Sequence, residues 1–341
     1  MSPADRRRGV ALLSVLLAAI LGACSSGSAP SPAASAPVVA APSGSEAAAS
    51  PTPSPTPAFP VTVIDDEGTT VELAAEPKKI VSLTPATTEI LFALGAGDRV
   101  VATDDGSDHP EQAVALPHVA TFSSVDVERV VALAPDLVVA GGLGFTPAES
   151  ITKLRELKIP VVVIYAPSVE GVLKDIELLG TATGTSADAA SITSAMRADM
   201  DAVAAAVATK SPKPRVFYDV GYDDTTGAIY APADDSFLAE MVTMAGGDAI
   251  TSGDPNTYEI PLEKLIEKDP QLIVLGTNPF YSPTPDAVAK RRGWDAFSAV
   301  RSGAIKPVND IEITRPGPRL PMGLRTLAAA IWPDVTLPSP S

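Results

Sequence analysis

The chain has 341 residues, 25 Lys plus Arg against 41 Asp plus Glu, and a formal net charge of −16. A body this acidic is repelled by nucleic acid and by anionic membrane surfaces, so neither is an expected partner. Its single cysteine excludes an internal disulfide and leaves no set of thiolates for a metal cluster.

At the N-terminus, Arg6, Arg7 and Arg8 precede an apolar run over residues 10–21 that ends in Leu21-Gly22-Ala23-Cys24. The run is too short to span a bilayer as a mature helix and reads as the h-region of an export signal. Two small residues immediately before a cysteine form the bacterial lipoprotein pattern, so residues 1–23 are assigned as signal peptide and Cys24 as the lipidated residue. An ordinary secretory signal with an incidental cysteine is the alternative. The paired arginines also raise twin-Arg export, although their neighbours fit that motif poorly. Cleavage removes Asp5 and the three arginines, leaving 22 basic against 40 acidic residues, a net charge of −18. Residues 24–60 are almost wholly Ala, Pro, Ser and Thr after the cysteine, with no apolar face to offset the entropy of ordering them. They form a tether, partly polyproline II, with a reach on the order of 100 Å at about 3.1 Å per residue.

The remaining residues, roughly 280, are enough for two lobes with their own cores. Residues 61–64 and 69–73 alternate around Asp65-Asp66-Glu67-Gly68, an edge hairpin. KIVSL, residues 79–83, is a first buried strand, followed by a helix for which Thr87 or Thr88 is the expected N-cap. Strand and helix then alternate: a strand at 100–103, a helix around Glu128, a strand at 137–140, a helix at 147–157 and a strand at 161–165. That alternation marks a parallel α/β sheet. Residues 169–209 carry little strand signal, and 187–208 are rich in Ala and Met, which predicts a long helix ended by residues 210–214. RVFYDVG at 215–221 opens a second α/β series, with helices near 236–245 and 286–290, a strand at 306–308 and a last helix at 320–331.

A repeat links the two series. VERVVALAPDLVVAG, residues 127–141, returns as LEKLIEKDPQLIVLG, residues 262–276, and LGAGDRV at 94–100 resembles MAGGDAI at 244–250. Each long copy reads as an amphipathic helix, a Pro-containing turn and a buried strand. The same motifs in the same order predict two Rossmann-like α/β lobes joined by a long backbone helix. The expected boundaries are 61–168 for the N-terminal lobe, 169–212 for the linking helical region, 213–335 for the C-terminal lobe and 336–341 for a tail.

KIVSLTPATTE, GDRV, DVER, APDLVV, FLAE, AGG and RPGPRL, spread over residues 61–334, resemble as a set the lipoprotein substrate-binding components of ABC importers for iron complexes and vitamin B12. That resemblance implies a ligand held between two lobes that close little, on a chain anchored by lipid to the outer face of the cell membrane. It implies an ABC permease and its ATPase as partners, no resident cofactor or metal, no catalysis, and a monomer. It also implies that Glu128 and Glu240, one on the upper surface of each lobe, pair with permease arginines. Two carboxylates on a stiff frame would set docking register and on-rate; the plainer reading of each is a solvated glutamate favouring a helix N-terminus, as for Glu263.

The family's cleft positions fall here on strand-end loops, where open α/β sheets bind ligands. Asp105, Phe122, Phe145, Tyr218, Tyr222, Tyr258, Phe280, Arg315 and Arg319 are the candidate ligand residues. Either arginine suits a carboxylate, phosphate or catecholate by bidentate bonds, and for Arg319 a structural pair with Asp310 or Glu312 is the alternative. Corrinoid binders often place Trp or Tyr where this chain has Gly106 and Val220, while Phe122 keeps the aromatic type. The RPGPR stretch favours a corrinoid over a ferric siderophore or haem. His109 and Tyr222 are candidate axial ligands for haem, although a His before Pro110 also suits a plain loop. Trp294 and Trp332 sit in apolar helical contexts and are expected in the core. A structural or adhesive surface lipoprotein, a direct metal-ion binder and an enzyme are the rival classes. The chain holds no GxSxG, HExxH, Walker A or full GxGxxG motif for the last of these.

Overall fold

The computed structural model describes residues 59–340 except Leu143, Asn256 and Phe280. The signal segment, Cys24, nearly all of the tether and the candidate Phe280 therefore lie outside the described residues. Strands β1 (Val61–Ile64) and β2 (Thr70–Leu73) pair antiparallel. They form a separate ribbon and not the edge of a larger sheet. The next six strands are β3 (Ile80–Ser82), β4 (Val100–Asp104), β5 (His118–Thr121), β6 (Ser124–Val125), β7 (Leu137–Gly141) and β8 (Val161–Ile164). They lie in the order β6-β5-β4-β3-β7-β8, parallel throughout except for β6. The second series gives β9 (Arg215–Asp219), a small β10–β11 hairpin (Gly221–Tyr222 and Ile229–Tyr230), β12 (Asp248–Ile250), β13 (Leu272–Thr277) and β14 (Ile305–Asn309). Its main sheet runs β12-β9-β13-β14, all parallel. Strands such as β7 and β8 are buried at every residue, as continuous apolar runs in covered parallel sheets require.

The helices of the first series are α1 (Pro85–Ala93), α2 (Glu111–Val114), α3 (Val127–Leu133) and α4 (Ala148–Glu156). The N-cap of α1 is Thr84, not Thr87 or Thr88: Pro85 takes the first helical position, and Thr84 and Thr87 cap each other reciprocally. The long helix expected over 187–208 is α6 (Ser186–Val207), and α5 (Val169–Thr183) precedes it in the same linking region, joined to it at Gly184 in a left-handed turn. Gly180 lets them touch, because a Cβ there would overlap that of Ala189. The second series carries α7 (Phe237–Met244), α8 (Leu262–Lys268), α9 (Pro285–Ala289), α10 (Ser298–Ser302), α11 (Asp310–Thr314) and α12 (Leu320–Ile331).

The repeat is structural. Copies α3–β7 and α8–β13 both leave the helix one residue before proline, at Ala134 (φ 49°) and Asp269 (φ 41°). Proline disfavours helical backbone in its predecessor, and both chains resolve the conflict in the left-handed region. One apolar cluster runs from Ile80 and Val139 through Leu173, Met200 and Val203 to Val274 and Leu324, so α5, α6 and α12 pack the two sheets into one body. Smaller clusters cover the outer faces, around Val81 and Leu154 in one series and around Phe217, Trp294 and Phe297 in the other. Trp294 is fully buried.

Asp65 holds the first ribbon in place. Its Oδ1 accepts the Glu67 and Thr69 amides at 3.1 and 2.7 Å, and its Oδ2 accepts Arg155 Nη2 at 2.8 Å and the Val163 amide at 3.2 Å. Removing this buried carboxylate takes the partner from three amides and from Arg155 Nη2, leaving that guanidinium only Glu67 through Nη1. Asp65→Ala is expected to lower unfolding stability by about 3 kcal/mol in a urea titration.

Candidate functional site

Loops from the carboxyl ends of both sheets meet in one cleft, which has two adjoining cavities of about 300 Å³ and 690 Å³. The cavities share Thr84, Pro85, Phe122, Phe145, Thr314 and Arg315 as walls. The first sheet contributes Thr84 after β3, Asp105 after β4, Phe122 after β5, Phe145 after β7 and Tyr165 after β8. The second contributes Phe237, Tyr258, Asn278, Tyr281, Asp310 and Arg315.

Aromatic rings line the smaller cavity. Phe122 meets Phe145 edge-on at 6.4 Å, and Phe145 lies 6.4 Å from Tyr165 at a 30° tilt. Phe122 is 75% exposed and Phe145 52%. Apolar rings left this open to water mark a surface shaped to be covered by something else. Burial and a hydrogen bond with the Tyr258 hydroxyl push Tyr165 up to about 12, so Tyr165 stays neutral and its bond joins the two sides of the cleft.

Beneath this surface lies a chain of buried hydroxyls. Ser82 bonds Thr87 at 2.6 Å and Thr88 at 2.8 Å, Thr88 bonds Ser107 at 2.7 Å, and Ser107 donates to Asp104. Burial raises the Asp104 carboxyl, while the Ser107 hydroxyl and the Gly106 amide pull against that rise. The network fixes the loop that carries Asp105 and Asp108. Asp175 on α5 also reaches the smaller cavity, 4% exposed. Burial, with the facing Asp66 carboxyl adding to it, pushes Asp175 up to about 9. Asp66 in turn accepts the Tyr165 amide. Asp175 therefore meets the cavity as a carboxyl that holds its proton at neutral pH.

Arg315 and Arg319 converge on Glu89. Arg319 forks onto it, Nε to Oε2 at 2.9 Å and Nη2 to Oε1 at 2.7 Å, and Arg315 Nη1 reaches Oε1 at 2.6 Å. Arg315 Nη1 also donates to Asp108 Oδ1 at 2.6 Å. The segment carrying both arginines is held tightly, since any Cβ on Gly323 of α12 would overlap the Glu312 carbonyl of α11.

Residues 80–309 match the family described as periplasmic binding protein. Similar proteins include the ABC transporter substrate-binding lipoprotein YvrC of Bacillus subtilis, 32% identical over 283 residues that make up 82% of this chain and 88% of YvrC. A cobalamin-binding protein of Halobacterium salinarum is 30% identical over 281 residues, 80% of this chain and 74% of its own. Among solved structures, a protein of an ABC-type Fe3+-hydroxamate transport system from Saccharomonospora viridis aligns with a TM-score of 0.66 at 25% identity, covering 81% of this chain and all of the other. The chain belongs to the periplasmic binding protein family.

As a periplasmic binding protein it places the sequence candidates unevenly. Asp105, Phe122, Phe145, Tyr258 and Arg315 all line the cleft. Tyr218 does not: it is fully buried in β9, and its hydroxyl donates to Asp310 Oδ1 at 2.8 Å. Tyr222 stands against Trp294, with Arg291 stacked 4.3 Å from its ring, and lines neither cavity of the cleft. Arg319 borders a separate hollow beside His109, so His109 and Tyr222 do not converge on the cleft. Neither arginine pairs with Asp310 or Glu312; both take Glu89. Tyr165, Phe237, Asp175 and Glu89 were not among the candidates. Tyr165 ends a predicted strand, at the same kind of place as the family's cleft positions, and strand-end position is the signal that could have found it.

Glu128 is exposed on α3 and forms no ion pair among the described residues. Glu240 is exposed on α7, and its Oε2 accepts the Val169 amide at 2.8 Å, at the start of α5. No helix among the described residues is long and apolar enough to cross a membrane.

Asp175 generates a pH-dependent prediction. The folded carboxyl keeps its proton until about pH 9, whereas an unfolded one releases it near pH 4, so its stabilising contribution is complete below pH 4 and is lost as pH rises towards 9. Asp175→Asn keeps the shape without titrating. Urea unfolding should show the variant gaining on the wild type by about 4 kcal/mol between pH 5 and pH 8; an unchanging gap would mean that Asp175 is ionised.

Proposed function

We propose that this chain is the lipid-anchored, extracytoplasmic receptor of an ABC importer that captures a metal chelate in its cleft and delivers it to a membrane permease. The observation that carries this reading is the cleft itself: exposed aromatic rings and one arginine, gathered at the carboxyl ends of two parallel sheets. Rings cover the apolar body of a large chelate, and Arg315 meets an acidic group at its edge. In this reading residues 61–168 and 213–335 are the lobes, 169–212 link them, and Cys24 with the tether holds a monomer close to the permease and its ATPase at high effective concentration. A corrinoid is the favoured ligand, supported by the Halobacterium salinarum relative. The likeness to the Fe3+-hydroxamate transport structure supports a ferric siderophore as the second reading. The roles assigned to Asp105, Phe122, Phe145, Tyr258 and Arg315 in holding ligand, and to Glu128 and Glu240 in docking, are part of this proposal.

Titration of the purified chain with cobalamin, haem and ferric siderophores, followed by fluorescence and visible absorption, should give saturable binding of one class, weakened at least 10-fold by Phe145→Ala. Binding of none would overturn the chelate reading. Replacing Glu128 and Glu240 together by alanine should abolish uptake in cells while the dissociation constant stays within about 2-fold; normal uptake would refute docking through these residues. Cys24→Ser should move the protein from the membrane to the soluble fraction, and retention on the membrane would sink the lipid anchor.

A further inference from the structure

Glu89 sits in the middle of α1, its side chain 3% exposed, although nothing in that helix requires a charge there. The helix already has its cap in Thr84, and the neighbours Ile90 and Leu91 are fully buried. A carboxylate in such a place persists when cations compensate it. The compensating guanidiniums are 226 and 230 residues away, Arg315 at 15% and Arg319 at 21% side-chain exposure, both on the connection from α11 to α12. Asp108, 52% exposed, balances the second positive charge. One nitrogen of Arg315, Nη1, makes both of its contacts, and its Nε and Nη2 bond no described residue. That unused edge is the side-on fork by which arginine holds carboxylate or phosphate.

We propose that Glu89 is a positioning residue that clasps the first lobe to the second and holds the Arg315 guanidinium at the cleft with its Nε–Nη2 edge free for an acidic group of the ligand. The proposal rests on the cleft reading above for the ligand and on the ion cluster alone for the clasp. With Asp108 included the cluster is neutral, so the lobes are joined without any ligand charge to complete them. The width of the cleft is then set before the chelate arrives, and binding needs little closure.

Hydrogen exchange of the ligand-free, full-length chain tests the clasp. In Glu89→Gln, amides in both 86–94 and 311–324 should exchange at least 5-fold faster, with α4 and α8 unchanged; an unaltered 311–324 segment would overturn the clasp. Arg319→Lys keeps the charge but loses the fork, and should move the same two segments less far. It decides the matter if Glu89→Gln does not fold. Positioning is read from affinities for cobalamin, haem and a ferric tris-catecholate. Glu89→Gln and Arg315→Gln should each weaken the bound probe about 10-fold, and the double variant no more than Arg315→Gln alone. Additive losses would contradict action through Arg315. Failure of every probe to bind the wild type would overturn the cleft reading instead, with the exchange result still judging the clasp.

Discussion

The packing of α5, α6 and α12 between the two sheets is the constraint on which the rest of the molecule depends. Apart from β6 both sheets are parallel, so the loops that follow their parallel strands gather on one edge. Two such sheets make a cleft only if those edges are brought side by side. The shared core from Val139 through Met200 to Leu324 does this, and Gly180 brings α5 close enough to α6 to make the connection stiff. Helix α5 also carries Asp175 to the cavity and begins where Glu240 reaches across to the Val169 amide. One helix thus touches the ligand cavity, the opposite series and a proposed docking residue.

Charge is handled locally against a strongly acidic background. The chain carries −16 overall, yet its cleft is walled by Arg315 and by Asp175 with its proton retained. Without that proton and without Arg315, a cleft in so acidic a protein would repel an anionic chelate at short range. Protonating Asp175 and pairing Glu89 remove two buried negative charges from the neighbourhood where an acidic ligand would sit. The exposed carboxylates of Glu128 and Glu240 remain available at the surface.

Much of this architecture was legible in the sequence because parallel α/β proteins write their elements in a periodic code. Apolar strands, helical periods and the prolines of the repeat located the strands and the larger helices, and the family resemblance, whose cleft positions fall on strand-end loops, supplied Phe122, Phe145, Tyr258 and Arg315. The failures share a cause, which is that they depend on partners far away in sequence. Tyr218 lies in a strand covered on both faces, so alternation gives no sign of which way its ring points. Tyr222 was carried off by a local hairpin to pack on Trp294. Nearby Asp310 and Glu312 looked like partners for Arg319, whereas the true one, Glu89, is 230 residues upstream. Thr84 was passed over because Thr87 and Thr88 satisfy the same capping rule, and the choice fell to Pro85.

The central claim is that ligand sits between the aromatic row and Arg315. Crystals grown with whichever chelate binds, measured at the absorption edge of its metal, test this most directly. The account predicts a single anomalous peak in the cleft bounded by Phe145, Tyr258 and Arg315. A peak in the hollow beside His109 and Arg319, or on the outer surface of either lobe, would contradict it.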